Sequence, residues 1–315
     1  MTAASIGGRT SVLFIGGIGR SGSTIFELSL STDSRVVGLG EVLHLWQRCL
    51  IDGELCGCER PFRECDFWNH VGNVAFGGWD RIDAERVLYL KNRIDRTVRT
   101  PLLSLRMGSQ QWKADVSEYA SYYSRLYRAA AIVSGRDLVV DSSKQASLPY
   151  VISQAENLDV RVILCVRDSR AVAHSWTKTV TRPEAAAGGD EHMQRYRPGI
   201  TALKWMQHNA VLEALRLRGV PVTRVRYEDW AAAPVATVQR VLTFAGLQSG
   251  SNPALHDDWV KFDTTHTCSG NPMRFRTGRV DIRRDEKWRD ELPRASRRLV
   301  TALTAPGLAA YGYFR

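Results

Sequence analysis

The chain has 315 residues and a formal net charge of +10, with 44% hydrophobic and 24% charged residues. This balance is ordinary for a soluble globular protein and supplies ample material for a buried core. No apolar run is long enough for a transmembrane helix, and residues 1–10 lack the features of a signal peptide. We therefore expect a cytoplasmic protein without an integral membrane segment. Nucleic acid is not expected as a partner, because the basic charge is not accompanied by a recognition motif.

Predicted strands and helices alternate along the chain. Short apolar runs predict buried strands at residues 11–17, 137–141, 161–166 and 222–227. Helical patterns occupy residues 23–31, 84–98, 119–134, 169–179, 202–217, 235–245 and 293–303. The alternation predicts an α/β fold in which helices flank a mostly parallel central sheet. We expect one domain spanning residues 1–315, with a surface loop at the Ala- and Gly-rich residues 183–189.

A glycine-rich turn, GGIGRSGST at residues 16–24, joins the first strand to the first helix. Glycines allow the backbone to wrap around a phosphate, and a helix N-terminus directs N–H groups at the anion. Gly17 and Gly22 have the spacing of an ATP-binding P-loop, but Ser23 stands where that loop carries its lysine. Arg20 instead supplies a cation from within the turn. The sequence therefore predicts a P-loop-like nucleotide-binding fold that does not use ATP in the ordinary way.

A second motif begins where the third predicted strand ends. Arg167 follows that strand, at the edge where α/β folds bind ligands, and Ser175 lies eight residues further on in the next helix. A guanidinium and a hydroxyl group suit a phosphate dianion, which arginine can bind through two parallel hydrogen bonds. The alternative is an ion pair between Arg167 and Asp168 or another acidic residue.

Together these motifs resemble the sulfotransferases that use 3′-phosphoadenosine 5′-phosphosulfate (PAPS), in particular their bacterial and carbohydrate-type members. The resemblance implies transfer of a sulfuryl group from PAPS to an acceptor hydroxyl, with the bisphosphate PAP as the second product. It implies a 5′-phosphosulfate site at Gly19, Arg20, Ser21, Gly22, Ser23 and Thr24. It places the 3′-phosphate at Arg167 and Ser175.

The resemblance also implies catalytic residues. Gly40-Glu41 is similar to the Gly-Glu of protein-tyrosine sulfotransferases, whose glutamate activates the acceptor hydroxyl. His44 is the rival base, because a neutral imidazole is well tuned near pH 7. Lys144 matches a lysine that reaches the sulfonate or the bridging oxygen in the same relatives. No metal is required, because Arg20 and Lys144 supply the positive charge that Mg²⁺ supplies in kinases.

Two further segments are expected to cover the site. Residues 266–274, HTCSGNPMR, resemble the nucleotide-covering loop of the family, within a segment at about residues 262–290. The resemblance implies a catalytic position for Ser269 and cofactor contacts for Asn271 and Arg274. Residues 42–136 are expected to cover the acceptor. Their aromatic residues suit either stacking on an acceptor or core packing: Trp46, Phe67, Trp68, Trp112, Tyr119, Tyr122 and Tyr123.

A cysteine cluster lies within the acceptor-covering segment. Cys56, Cys58 and Cys65 are close in sequence, but a zinc site favours pairs separated by two to four residues, and Cys56 and Cys58 are separated by one. His70 is the candidate fourth ligand. A disulfide is unusual in a reducing cytoplasm, so we expect packed thiols and leave the metal and redox state open.

Two other functions remain as alternatives. One is an ATP- and magnesium-dependent P-loop kinase of small molecules, with residues 138–141 as the strand that holds the metal ion. The other is a non-catalytic polyanion-binding module that uses the arginine-rich residues 274–298. For the sulfotransferase, a carbohydrate, glycolipid or secondary-metabolite hydroxyl is the favoured acceptor. The oligomeric state is open.

Overall fold

A five-stranded parallel sheet forms the centre of the molecule. The computed structural model describes residues 8–182, 192–248 and 250–314, so the predicted loop at residues 183–189 lies outside the described residues. The strands are β1 Thr10–Gly16, β2 Val36–Gly38, β3 Leu138–Lys144, β4 Leu158–Val166 and β5 Val222–Arg226. Their spatial order is β2–β3–β1–β4–β5, and every neighbouring pair is parallel. The predicted mostly parallel sheet is confirmed.

Helices cover both faces of this sheet. They are α1 Ser23–Leu30, α2 Asp66–Phe76, α3 Ala84–Ile94, α4 Thr100–Leu105, α5 Gln110–Ser134, α6 Leu148–Ile152, α7 Ser169–Thr177, α8 Pro198–Ala214, α9 Tyr227–Ala232, α10 Pro234–Phe244, α11 Trp288–Glu291 and α12 Arg294–Ala310. Alternate residues of β1 belong to two separate hydrophobic clusters, Val12 and Phe14 to one and Leu13 and Ile15 to the other. Because successive side chains of a strand point to opposite faces, this alternation places a core on each side of the sheet.

Residues 42–136, which were predicted to cover the acceptor, contain more helix than their sequence suggests. Helix α2 forms where no helix was predicted, and α5 begins at Gln110, nine residues before the predicted start. The side chain of Ser109 caps α5 by accepting a hydrogen bond from the amide of Trp112 at 3.2 Å. Both helices pack into the larger hydrophobic cluster through buried aromatic residues.

A short antiparallel hairpin was also not predicted. Its strands, β6 Trp259–Phe262 and β7 Gly278–Asp281, have four residues each, too few for a clear periodic pattern. They bracket residues 263–277, which contain the predicted nucleotide-covering loop. Among the described residues, no helix combines the length and apolar character needed to cross a membrane.

Candidate functional site

The predicted site residues follow the carboxyl ends of four neighbouring strands. Glu41 follows β2, Lys144 ends β3, Arg20 lies in the turn after β1, and Arg167 follows β4. The strand order therefore lines them up as Glu41, Lys144, Arg20 and Arg167. With strands about 4.8 Å apart, the two ends of this row are separated by about 14 Å at the sheet edge. All four side chains line one cleft of about 780 Å³.

The glycine-rich turn has a backbone conformation that requires glycine at two positions. Gly17 has a φ of 137°, and a Cβ atom there would lie 2.5 Å from the carbonyl oxygen of Cys165. Gly22 has a φ of 86°, and a Cβ atom there would lie 2.5 Å from the ring of Tyr227. Both positions therefore require glycine. Helix α1 starts directly afterwards, and no side chain among the described residues caps its first turn.

Arg20 carries an unsatisfied cation at the centre of the row. Its Nε and Nη2 atoms are buried and have no hydrogen-bond partner within the described part of the chain. The guanidinium lies 5.6 Å from the centre of the Trp176 ring. Burial lowers the pKa of Arg20 and the charge of Glu41 acts in the opposite direction, but arginine stays protonated at neutral pH. Buried charged donors require partners, so this arrangement favours an anionic ligand.

Glu41 lies between two nitrogen-containing side chains. The ammonium of Lys144 donates a hydrogen bond to Glu41 Oε1, and His44 Nε2 lies 3.7 Å from Glu41 Oε2. Burial and the neighbouring cations lower the pKa of His44 well below 6.5, so its imidazole is neutral at pH 7. Both candidate bases therefore share the Glu41 end of the cleft.

Arg167 lies at the opposite end, where it is almost entirely buried. Its Nη2 atom donates to Asp285 Oδ2 at 3.0 Å, and its Nη1 atom donates to the carbonyl oxygen of Arg20 at 3.2 Å. The Tyr227 ring centre lies 4.5 Å from the guanidinium carbon. An ion pair therefore exists, but with Asp285, since Asp168 pairs with Arg170 at 2.6 Å. Arg167 Nε has no hydrogen-bond partner among the described residues.

Some of the other residues that were predicted to contact the ligand line the cleft, and some do not. The cleft lining includes Gly19, Gly22, Ser23, Thr24, Ser175 and Asn271. Ser21, Ser269 and Arg274 do not contribute to that lining, and their contacts with a ligand stay predictions. Ser269 Oγ accepts a hydrogen bond from Arg48 at 3.0 Å. Arg274 is buried, and its guanidinium donates hydrogen bonds to the carbonyl oxygens of Thr267 and Leu55, each at 2.9 Å.

One positioning residue was missed by the sequence reasoning. Glu27, on α1, accepts hydrogen bonds from the Gly40 amide at 2.6 Å and from Ser142 Oγ at 2.5 Å. Burial raises the pKa of Glu27 to about 7. Its contacts fix the backbone just before Glu41. The sequence feature that could have identified Glu27 is the presence of an acidic residue within an otherwise apolar predicted helix.

Several cleft residues were also missed, and the aromatic residues of the covering segment are placed differently. Trp176, Arg48, Arg182 and Tyr227 line the cleft. Trp176 directly follows Ser175 and was detectable from that motif. By contrast, Trp46, Trp68, Tyr119 and Tyr123 are fully buried, so core packing accounts for them.

The strand–turn–helix unit and the cationic cleft define an α/β protein of the P-loop-like class. No protein-family model matches the chain. Human carbohydrate sulfotransferase 3 is 27% identical to it over 181 residues, which are 54% of this chain and 37% of that protein. Human carbohydrate sulfotransferase 6 is 30% identical over 178 residues, which are 52% of this chain and 44% of that protein. These relatives confirm the predicted resemblance to sulfotransferases, although the chain spans less than half of their length.

Solved structures give weaker similarity over a longer stretch. The sulfotransferase domain of the curacin biosynthetic pathway has a TM-score of 0.48 at 14% identity, covering 94% of this chain and 98% of that domain. The sulfotransferase domain of the Synechococcus olefin synthase has a TM-score of 0.46 at 18% identity, covering 95% and 94%. At these scores the fold assignment rests on the strand order described above.

Proposed function

We propose that the chain is a sulfotransferase that uses PAPS as donor and releases PAP. The observation that carries the proposal is that the buried Nε and Nη2 atoms of Arg20 have no hydrogen-bond partner among the described residues. Arg20 follows a strand that lies between those of Lys144 and Arg167 along one sheet edge. An anionic ligand with charge at two separated points suits this row of cations. The sulfotransferase relatives support the same reaction class.

In the proposed binding mode, the two ends of the donor occupy different cations. The 5′-phosphosulfate lies in the turn, against Arg20 and the first amides of α1, where a helix N-terminus stabilises negative charge. The 3′-phosphate lies at Arg167 and Ser175, and its charge competes with Asp285 for the guanidinium. This places the sulfonate toward Lys144 and Glu41.

Transfer then proceeds by in-line displacement. Glu41 takes the proton of the acceptor hydroxyl, the acceptor oxygen forms the new bond to sulfur, and the bond between sulfur and the phosphate oxygen breaks. The electron pair of that bond stays on the phosphate of PAP. Arg20 and Lys144 stabilise the charge that develops on the sulfonate and on the leaving oxygen. The scheme assigns no step to a metal ion.

Lys144 has a second role in this scheme. Its ammonium group pairs with Glu41, and this pairing lowers the availability of the carboxylate as a base. The leaving oxygen of the bound donor offers the ammonium group a competing anionic partner. We infer that donor binding draws Lys144 away from Glu41 and so prepares the base.

The kinase alternative is not favoured by the placement of Asp141. This residue is fully buried, accepts a hydrogen bond from Tyr127 at 2.5 Å, and also bonds to the amide of Ser143 at 2.8 Å. It does not contribute to the cleft lining, and its carboxylate is already engaged by these hydrogen bonds. The turn also has Ser23 in place of the lysine that ATP-binding loops use.

The acceptor in this proposal is a small molecule or glycan with a hydroxyl group, with a carbohydrate, glycolipid or secondary metabolite favoured. A cytoplasmic location remains part of the proposal, and cell fractionation with activity measurements tests it. The oligomeric state is left open.

Calorimetry on the purified chain tests the donor assignment without knowledge of the acceptor. We expect saturable binding of both PAPS and PAP, with clearly weaker binding of adenosine 5′-phosphate, which lacks the 3′-phosphate. A folded protein that binds neither PAPS nor PAP contradicts the proposal. Binding of ATP with magnesium in their place favours the kinase. A screen of hydroxyl compounds with ³⁵S-labelled PAPS then identifies the acceptor class.

A further inference from the structure

A second site lies behind the cleft, where three cysteines and one histidine meet. The side chains are Cys56, Cys58, Cys65 and His266, and one ligand atom from each lies within 4.8 Å of the other three. None of these residues lines the cleft. We propose that they bind one zinc ion in a tetrahedral Cys₃His site with a structural role.

The distances between the ligand atoms suit a zinc ion at their centre. Zn–S and Zn–N bonds of about 2.3 and 2.05 Å at tetrahedral angles place two sulfurs about 3.8 Å apart, and a sulfur and a nitrogen about 3.6 Å apart. Cys58 Sγ lies 3.7 Å from Cys65 Sγ. His266 Nδ1 lies 3.3 Å from Cys65 Sγ and 3.8 Å from Cys56 Sγ. The two sulfur–nitrogen distances therefore lie on either side of the required value, and the sulfur–sulfur distance is close to its required value.

The chemistry of the donor set is also selective. Thiolate and imidazole ligands together favour zinc over magnesium or calcium, which prefer oxygen ligands. A Cys58–Cys65 disulfide needs a sulfur separation of about 2.05 Å, which is shorter than the observed distance. It also does not explain why Cys56 and His266 lie beside the same two sulfur atoms. Four protein ligands fill a tetrahedral zinc ion and leave no position for a substrate, which is typical of structural sites.

The surrounding structure holds the four ligands in place. The Cys56 amide donates to the carbonyl oxygen of Arg60 at 2.9 Å and closes a tight turn around Cys58, while Cys65 directly precedes α2. Trp68 Nε1 donates to the carbonyl oxygen of His266 at 2.8 Å. The ring of Phe67 stacks on the His266 imidazole with 5.1 Å between centres and 16° between planes. Such contacts orient metal ligands before the metal binds.

The fourth ligand corrects the expectation from sequence. His70, the expected candidate, is outside the cluster, and its Nδ1 atom lies 2.8 Å from the Asp66 carbonyl oxygen one turn earlier in α2. His266 enters from the nucleotide-covering loop, 201 residues after Cys65. Cys56 and Cys58 remain separated by only one residue, so the support for the site comes from the positions of the four ligand atoms and not from the sequence spacing.

A zinc ion here would join two segments that both support Glu41. The Gly57 amide donates to the carbonyl oxygen of Thr267 at 2.9 Å, so the cysteine turn lies directly against the loop. One residue further, the carbonyl oxygen of Cys268 accepts a hydrogen bond from the Glu41 amide at 2.8 Å. Metal binding at His266 would therefore fix the loop segment that holds the Glu41 end of the cleft.

Metal analysis of the full-length chain, purified without a polyhistidine tag, tests the site independently of activity. Inductively coupled plasma mass spectrometry should find about one zinc per chain, as a filled four-ligand site requires. His266→Ala and Cys65→Ser should each lose most of this zinc, whereas His266→Cys should retain it. His70→Ala is the matched histidine control and should keep the full content. Replacement by Co²⁺ should give thiolate charge-transfer bands and the visible bands of a tetrahedral site.

Removal of the metal from the wild-type chain gives a second measurement that needs no variant to fold. A chelator strong enough to extract zinc should lower Tm, and added zinc should restore it. The proposal is overturned if folded wild-type chain carries less than about 0.1 zinc per chain even after incubation with zinc. A Cys58–Cys65 disulfide found by mass spectrometry in freshly prepared chain, or zinc retained in both ligand variants, also overturns it.

Discussion

The two ends of the cleft are built in different ways. At the end proposed to bind phosphate, which we call the phosphate end, Arg20 and Arg167 follow adjacent strands, and Arg167 Nη1 donates directly to the Arg20 carbonyl oxygen at 3.2 Å. At the Glu41 end, the backbone is held by Glu27 on α1 and by Cys268 in a loop 227 residues away. Strand order places both ends, but the backbone at the Glu41 end also depends on contacts with helix α1 and with a distant loop. We expect binding to survive changes in the loops better than catalysis does.

Glu41→Gln gives the largest expected effect and tests the loop-supported end. Loss of the base should lower kcat by about 10²- to 10⁴-fold with little change in PAP affinity. His44→Gln is the control within the same end and should change kcat by less than about tenfold. If His44→Gln abolishes turnover while Glu41→Gln leaves it intact, the base is the histidine.

Arg20→Ala tests the centre of the row, where the two ends meet. We expect kcat to fall by about 10²- to 10³-fold, because a preorganised charge facing the sulfonate is lost. The exposed Arg289 supplies the control, since Arg289→Ala removes the same charge from a residue that does not line the cleft. Turnover in Arg20→Ala equal to that of the control, with circular dichroism unchanged, removes Arg20 from the mechanism.

Arg167→Ala tests the phosphate end alone. A charged hydrogen bond to phosphate contributes about 1.5–3 kcal/mol, so PAP affinity should fall by about 10- to 100-fold. Affinity for adenosine 5′-phosphate should stay the same, because that ligand has no 3′-phosphate. If the ratio of the two affinities matches the wild type, Arg167 serves only as the partner of Asp285.

Glu27→Gln gives the smallest expected effect, on stability rather than chemistry. The pKa of Glu27 is raised from 4.5 to about 7, so the folded state binds its proton more tightly than the unfolded chain does. The stability contribution is full below pH 4.5 and is lost as the pH rises toward 7. The free energy of unfolding, measured with urea across this pH range, should change less with pH in Glu27→Gln than in the wild type. The difference between the two proteins in this change should be on the order of 1–3 kcal/mol. Parallel profiles in both proteins contradict the assigned pKa.

The difference between the two ends also explains what could be predicted from sequence. The turn at residues 16–24 and the Arg167 motif are local, because glycine spacing and strand ends are visible in a short window. Asn271 and Arg274 were both predicted to contact the cofactor; Asn271 lines the cleft, whereas Arg274, three residues later, donates hydrogen bonds to backbone carbonyl groups. Whether an arginine in this loop faces the cleft or the protein interior depends on which carbonyl groups lie near it in the folded chain. His266 was likewise hidden, since no spacing rule joins it to cysteines about 200 residues earlier.

The ion pair between Lys144 and Glu41 has a kinetic consequence. While the two side chains remain together, an acceptor that arrives first meets a carboxylate already engaged. If donor binding frees Glu41 as proposed, we expect a compulsory order in which the nucleotide enters before the acceptor and leaves after the sulfated product. Inhibition by PAP should accordingly be competitive toward PAPS and noncompetitive toward the acceptor.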